Sequence, residues 1–240
     1  MVVAPGSWYE RGGQGGDGKA LTAAGRPRRA YHSPPRAEQA RRTRRQIIAA
    51  AHAEFVRSGY AGATIAAIAA AGVSVPTVEL VFGTKRELLK AAADVAMAGD
   101  DAPISVSERD RVRQAQATCH VEQFLEAVAD GGVRPISERA AGVLAVIYQA
   151  AAADEQIAVL ARQSDQQRLT LARAIVDMLA RRARLRADIS RAAAADIMWL
   201  LMDPVVYQRL TAGRGWAPGY YQRWFIQSTR RLLLADPQAP

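Results

Sequence analysis

Residues 63–82 constrain the fold of this chain more than any other segment, because they predict two very short helices joined by a tight turn. Thr64 and Ser74 are good N-cap residues for the two helices. Pro76 falls in the first turn of the second helix, where its missing N–H has no helical partner to lose. Gly72 breaks the first helix. The segment therefore predicts a compact helix-turn-helix.

Three apolar side chains are expected to anchor the second short helix to a core: Val73, Val78 and Phe82. The N-terminal residues of that helix then project outward, which is the arrangement in which a recognition helix meets base edges in DNA. A purely structural bundle, in which the caps serve folding alone, is the alternative for the same residues.

The rest of the chain shows no strand-like alternation, and apolar residues recur at helical spacing from about residue 37 to residue 235. Gly59 is expected to end a first helix over 37–58, and Thr84 with Glu87 forms a capping box that begins a helix over 85–99. Gly131 and Gly132 are expected to end a helix over 107–130. Further helices are predicted over 137–152, 154–186, 190–202 and 218–234. Another helix is predicted to begin at residue 203.

The predicted fold class is all-α, with an N-terminal three-helix helix-turn-helix domain and a C-terminal helical bundle for ligand binding and dimerisation. We expect a disordered, basic, Gly- and Pro-rich tail over 1–36, a DNA-binding domain over 37–99 and a regulatory domain over 104–235. Residues 1–46 hold ten basic and three acidic residues, so most of the formal net charge of +9 lies at this end. Such an arm favours a polyanionic partner, and an Arg-rich coding bias is the alternative.

Composition argues against several other classes of protein. Cys119 is the single cysteine of the chain, so an internal disulfide is impossible, and its neighbour His120 points about 100° away on a helix and completes no chelate. We therefore expect no metal site, no cofactor, no catalytic residues and no enzyme activity. The chain lacks an apolar run long enough to span a bilayer, and a cytoplasmic protein with no membrane partner is expected.

Residues 44–89 resemble the DNA-binding domain of the TetR family of transcriptional regulators. The resemblance is carried in register by positions that include Ile47, Ala51, Phe55, Gly59, Tyr60, Thr64, Ile68, Gly72, Val73, Ser74, Thr77, Phe82, Gly83, Lys85 and Leu88. The spacing of aromatic residues after Trp199 is similar to the regulatory domain of one broad subgroup. The resemblance implies a cytoplasmic homodimer that binds double-stranded DNA at a palindromic operator, and it covers about residues 41–235.

The resemblance also places the DNA contacts on particular residues. They are Arg44, Thr64, Ser74, Val75, Pro76, Thr77 and Lys85. Thr64 and Lys85 match positions that contact phosphate, whereas Ser74 to Thr77 match the base-facing start of the recognition helix. Two positions depart from the family pattern, since Glu79 stands where the family usually has Tyr and Val81 where it usually has His.

The C-terminal part is expected to bind a small, largely apolar effector that releases the protein from its operator, as in a repressor. Pocket residues are predicted to be Cys119, Ile147, Gln163, Gln167 and Trp199. The dimer interface is predicted to contain Tyr207, Trp216, Tyr221, Trp224 and Phe225, for which packing inside one chain and pocket lining are the alternatives. The second functional hypothesis is a helical ligand- or partner-binding module of the same family with weakened DNA binding, which Glu79 and Val81 favour.

Overall fold

The computed structural model describes residues 34–99 and 120–236. Cys119, most of the predicted tail over 1–36 and the first part of the predicted helix over 107–130 lie outside the described residues. All predictions for them remain predictions.

Four helices form the N-terminal part, and their starts follow the capping residues in the sequence. They are α1 (Pro34–Gly62), α2 (Ile65–Ala69), α3 (Val75–Phe82) and α4 (Lys85–Ala98). Thr64 Oγ1 accepts a hydrogen bond from the amide of Ala67 at 3.1 Å, and Ser74 Oγ accepts one from the amide of Thr77 at 3.3 Å. These bonds confirm both predicted N-caps.

Gly59 ends the first continuous helix as predicted, because its φ of 67° and ψ of 174° are not helical, and a further short helical turn carries α1 on to Gly62. One local prediction in this part is wrong in detail. Thr84 Oγ1 accepts from the amide of Glu87 at 3.1 Å, whereas the amide of Thr84 donates to the carbonyl of Phe82 at 2.8 Å. Because the tight turn at Gly83 already satisfies that amide, the reciprocal half of the capping box is replaced by a backbone bond.

The C-terminal part contains six α-helices in its described residues. They are α5 (Val121–Val128), α6 (Arg134–Ala151), α7 (Glu155–Ala180), α8 (Arg191–Leu201), α9 (Pro204–Gln208) and α10 (Pro218–Leu233). A π-helical turn over Ala129–Val133 joins α5 to α6, and a second one over Arg209–Gly213 follows α9.

Gly131 and Gly132 do not end a helix as predicted. The backbone passes through them in the π-helical turn, while Val128, Ala129 and Val133 on either side are buried. Two helical glycines cost roughly 2 kcal/mol in propensity, and burial of the flanking apolar side chains offsets a loss of that size. Tertiary packing therefore overrides the local signal.

The long helix α7 ends at Ala180 rather than at the predicted residue 186. The chain after it turns to meet the end of α10, where Leu185 and Leu234 form an antiparallel bridge. The amide of Arg186 donates to the carbonyl of Leu233, and the amide of Ala235 donates to the carbonyl of Arg184, both at 2.9 Å. Backbone groups that helix α7 would have satisfied are thus satisfied by the C-terminal segment.

Two apolar cores organise these helices, and α6 belongs to both. The first core joins α1–α4 to α6 and the start of α7, through residues such as Phe55, Leu88 and Leu144. The second joins α5, the later part of α7 and α8–α10, around Phe124 and Tyr221. Helix α6 packs against α1 and α4 on one side and against α7 and α9 on the other.

Candidate nucleic-acid interface

Helix α3 is held by one apolar side and presents the other side to solvent. Val78 and Phe82 are buried, and Val73 and Val75 pack against the same core while half-buried. The structure therefore confirms the predicted anchors. It also places Val75 partly in the core, which leaves it less surface for base contacts than the sequence suggested.

The turn between α2 and α3 is fixed by a side chain of α1 that the sequence analysis missed. Gln46 Nε2 donates to the carbonyl of Ala71 at 2.7 Å. Gly72 has a φ of 107°, and a Cβ on it would lie 2.9 Å from that same nitrogen. Glycine is therefore required here for its backbone conformation, and its missing side chain also leaves room for the amide of Gln46. The only indication of this contact in the sequence is that Gln46 is a polar residue on the side of α1 that faces the turn.

The hydroxyls at the start of α3 are partly occupied within the chain. Ser74 Oγ and Thr77 Oγ1 lie 2.8 Å apart and share a hydrogen bond. Ser74 and Pro76 are exposed, whereas Thr77 is half-buried. A hydroxyl can donate one bond and accept two, so both groups retain capacity toward a ligand.

Two basic side chains that were predicted to contact DNA also have roles in the fold. The ammonium of Lys85 donates to the carbonyls of Tyr60 and Ala63 at 2.8 and 3.0 Å and lies 4.6 Å from the centre of the Tyr60 ring. The guanidinium of Arg44 lies over the ring of Phe82 at 4.7 Å, so it is held beside the C-terminal end of α3. Thr64, which was also predicted to contact DNA, is exposed at the N-terminus of α2.

The arginines of α1 differ in their charge partners. Arg41 and Arg45 bind Glu38 at 2.7 and 3.2 Å, and the hydrogen bond and charge of Arg41 hold the pKa of Glu38 below its usual value. Across residues 34–99 and 120–236, Arg42 and Arg44 form no ion pair with a carboxylate. These two cations are therefore the less neutralised ones on this stretch of α1.

The residues that depart from the family pattern lie on the two flanks of α3. Glu79 is exposed, and Val81 is 37% exposed. Between them Leu80 is 87% exposed, the highest value among the large apolar residues of the described chain. Sequence reasoning did not single out Leu80, although its place opposite Val78 and Phe82 on a helical projection was available.

The predicted effector-pocket residues that the structure describes differ in burial. Ile147 is buried in the first core, whereas Gln163 and Gln167 are exposed. Trp199 is half-buried, with its indole N–H donating to the carbonyl of Asp165 at 3.2 Å. Cys119 lies outside the described residues. A surface cleft is lined by Gln123, Glu126, Ala127, Asp130, Gly131, Arg134 and Pro135.

A buried charged group lies close to Trp199. The guanidinium of Arg168 lies 4.4 Å over the Trp199 ring and binds Asp165 at 2.9 Å and Asp203 at 3.2 Å. Tyr148 donates to the Asp165 carboxylate at 2.7 Å, and burial together with this bond raises the pKa of Tyr148 to about 12. We call these five residues the Arg168 network.

The predicted interface residues divide by burial. Tyr207, Tyr221 and Phe225 are buried within a single chain, where Tyr221 donates to the carbonyl of Leu201 at 3.1 Å. A partner chain cannot reach them, so their assignment to the interface is corrected. Trp216 and Trp224 are half-buried and retain accessible surface.

The described helices include none that is long and apolar enough to cross a membrane.

A short capped helix packed over an α1 scaffold, with its outer side free, defines a helix-turn-helix protein. Residues 47–92 match the family described as bacterial regulatory proteins, tetR family. The matched residues include both helices of the helix-turn-helix, α2 and α3, so this part of the chain is similar to the DNA-binding domain of that family. No curated protein matches the chain.

Solved structures share the fold over most of the chain. A transcriptional regulator from Saccharomonospora viridis in complex with choline is 16% identical, with a TM-score of 0.61, and the match covers 81% of this chain and 99% of that one. A TetR-family regulator from Mesorhizobium loti is 17% identical, with a TM-score of 0.58, covering 82% and 99%. The regulator FadR from Bacillus subtilis in complex with stearoyl-CoA is 17% identical, with a TM-score of 0.58, covering 76% and 95%.

Proposed function

We propose that the protein is a homodimeric repressor that binds a palindromic operator and leaves it when a small, largely apolar ligand binds the regulatory part. The observation that carries this proposal is the position of α6, which packs against α1 and α4 and also against α7 and α9. A ligand that moves α6 within the bundle therefore acts directly on the scaffold that holds α3.

The contacts between α6 and the N-terminal helices add specific hydrogen bonds and one very close approach to the shared apolar core. Arg139 Nε donates to the carbonyl of Ala96 at 3.0 Å near the end of α4, and His52 Nε2 donates to the carbonyl of Arg139 at 3.0 Å. A Cβ on Gly142 would lie 2.9 Å from a methyl group of Val56 on α1. Close-packed contacts of this kind transmit a helix displacement rather than absorb it.

Release requires a differential affinity, because the ligand shifts the equilibrium only if it prefers the state that binds DNA poorly. In a dimer the two copies of α3 would enter major grooves about 34–36 Å apart, and a change in their spacing weakens both contacts together. The division into a DNA-binding part over 37–99 and a regulatory part over 104–235 belongs to this proposal.

The proposed DNA contacts involve the residues expected from the sequence, but Lys85 and Val75 are expected to contribute less to DNA binding than the others. Ser74, Pro76 and Thr77 face the bases, and Arg44 and Thr64 face phosphates. Lys85 has at most one N–H left for a phosphate, because two of its three bind carbonyls. Val75 contributes mainly to packing.

The proposed dimer surface is the outer side of α8 and α10, which pack together. Leu200 is 55% exposed on α8 and Tyr220 is 50% exposed on α10. Trp216 packs edge-on against Tyr220 and Trp224, with ring centres 4.5 and 6.0 Å apart. The two-fold pairing of such an apolar surface is isologous and gives a closed dimer.

The effector class is proposed from the fold and from two of its relatives. The matched structures from Saccharomonospora viridis and Bacillus subtilis were obtained with choline and with stearoyl-CoA, so proteins of this fold bind small molecules. We propose a ligand within the α5–α9 bundle of this chain.

The test is a selection of binding sites from random double-stranded DNA with the full chain, followed by fluorescence anisotropy on the enriched site. We expect an inverted repeat, binding that weakens as salt is raised, and a dimer by analytical ultracentrifugation. Failure to enrich any sequence at micromolar protein would contradict the repressor and favour a module of the same family with weakened DNA binding. The exposed carboxylate of Glu79 is the observation that favours this second candidate function, because its negative charge would repel DNA phosphates.

A further inference from the structure

Leu80 lies in the middle of α3 and turns a large apolar side chain into solvent. A single exposed leucine is ordinary on a protein surface, so exposure alone indicates nothing. Its direction relative to the anchors of the helix is the informative property.

Successive residues of an α-helix are turned by roughly 100° about the axis. Val75, Val78 and Phe82, which pack on the core, therefore share one side of α3. On the same projection Leu80 points within about 10–20° of the opposite direction. Of all α3 side chains it is thus the one aimed most directly away from the core.

The neighbours of Leu80 on this projection fall into two groups. Pro76, one turn earlier, lies about 40° from it, so the two form a short apolar strip along the outer side of α3. Glu79 and Val81 lie about 100° away on either flank. When a recognition helix enters the major groove, its outermost residues face the base edges and its flanks face the phosphate walls.

Leucine makes no hydrogen bonds, so against a polar base edge it would only remove water. The C5-methyl group of thymine is the apolar group that the four base pairs present in the major groove. We propose that Leu80, with Pro76 beside it, reads a thymine methyl group in each half-site of the operator. This inference rests on the proposed binding of DNA through α3 and names a specificity-determining residue for it.

The expected size of the effect follows from burying one methyl group. That burial contributes about 0.8 kcal/mol, which is about fourfold in affinity for each half-site. Replacing both symmetric thymines would then weaken binding about sixteenfold, because two separate half-sites contribute additively in free energy.

The experiment uses the full chain and the site enriched from random DNA. Each thymine is replaced in turn by deoxyuridine, which removes the methyl group and keeps the hydrogen-bonding edge. With the unchanged protein we expect about a fourfold loss at one position in each half-site. With Leu80→Ala we expect thymine and deoxyuridine to bind equally at that position.

Val159→Ala is the matched control, since Val159 is 39% exposed on α7, away from α3. This variant should discriminate between the two bases as the unchanged protein does. Circular dichroism and thermal melting of Leu80→Ala should match the unchanged protein, because an 87% exposed side chain contributes little to the core.

A second DNA substitution tests the methyl group in another base pair. Cytosine at the identified position should bind weakly, and 5-methylcytosine should recover about fourfold, but only with Leu80 present. Persistence of the discrimination in Leu80→Ala, or its absence at every thymine of the enriched site, overturns the inference and leaves the repressor standing. Failure to enrich any site overturns the proposed function itself and the inference with it.

Discussion

The capping bonds of the helix-turn-helix region and the Arg168 network of the regulatory bundle differ in how far along the chain they reach. The hydrogen bonds that begin α2, α3 and α4 each join residues three positions apart. Arg168 binds Asp165 at the same spacing, but it also reaches Tyr148 on α6 and Asp203 before α9, which lie 20 and 35 positions away. Short-range bonds fix where a helix begins, whereas the Arg168 network fixes how three helices lie against one another.

The largest expected effect comes from breaking that network. Arg168→Met keeps much of the side-chain volume but leaves Asp165 and Asp203 without their cation. Arg168 is only 7% exposed in its side chain, so we expect a loss of about 3 kcal/mol in the free energy of unfolding, measured by urea denaturation. The matched control is Arg162→Met, whose ion pair with Glu155 is exposed and should contribute under about 1 kcal/mol. Equal effects of the two variants would show that the network does not stabilise the bundle.

The next effect concerns the contact between the two regions. Gly142→Val places a side chain against Val56, and overpacking at this contact should cost about 2 kcal/mol. The second substitution Val56→Ala should restore much of the loss, since it removes the methyl groups in the way. Gly132→Val is the control, because no atom lies within 4 Å of a Cβ there. A double variant as unstable as Gly142→Val alone would exclude this contact as the cause.

Removing one helix cap in each region compares the contribution of a local capping bond in the two regions. Ser74→Ala and Ser190→Ala each delete a bond to the amide three residues on, and each should cost about 1 kcal/mol in unfolding free energy. DNA affinity should fall with Ser74→Ala alone, because that cap begins α3. Equal losses of DNA affinity in both variants would mean that the caps act through overall stability.

The charge at Glu79 is expected to oppose DNA binding. A carboxylate about 4 Å from a phosphate costs roughly 1 kcal/mol in water, which is about fivefold for each half-site, so the Glu79→Gln dimer should bind about 25-fold more tightly at low salt. Glu79→Tyr should bind more tightly still, since it adds a hydroxyl that can contact phosphate. Anisotropy on the selected operator measures both, with Glu155→Gln on α7 as the control. Unchanged or weaker binding would place Glu79 away from the phosphates.

The smallest expected effect is a pH dependence that comes from Tyr148 in the bundle. The neutral form of Tyr148 is favoured in the fold, because its pKa is raised from 10.0 to about 12. Its contribution to stability is therefore complete below pH 10 and is lost as the pH rises toward 12. Unfolding midpoints between pH 9 and 11 should fall less steeply in Tyr148→Phe than in the unchanged protein. Parallel profiles would show that Tyr148 does not titrate with unfolding.

The separation along the chain between contacting residues also explains what the sequence could predict. The starts of α2, α3 and α4 follow from Thr64, Ser74 and Thr84, because capping depends on residues within one turn. The π-helical turn through Gly131 and Gly132 could not be predicted, since distant packing decides it. Burial of Tyr221 and Phe225 within one chain was equally hidden, because an apolar stripe does not say which surface covers it. The exposure of Leu80 could have been predicted from helical geometry, because Val78 and Phe82 were already expected to anchor α3 to the core.

Lys85 shows how one side chain can link the stability of a fold to its ligand. Its ammonium closes the corner where α1 ends, through the carbonyls of Tyr60 and Ala63. A phosphate that engages the remaining N–H would polarise the group and tighten that corner, so that DNA and the native fold stabilise each other reciprocally. Lys85→Ala would then lower the melting temperature of the free protein and reduce the upward shift that operator DNA produces. Loss of DNA binding in Lys85→Ala therefore combines the loss of the two carbonyl bonds at the end of α1 with the loss of the phosphate contact. Only the melting temperatures of the free protein and of its complex with operator DNA separate the two effects.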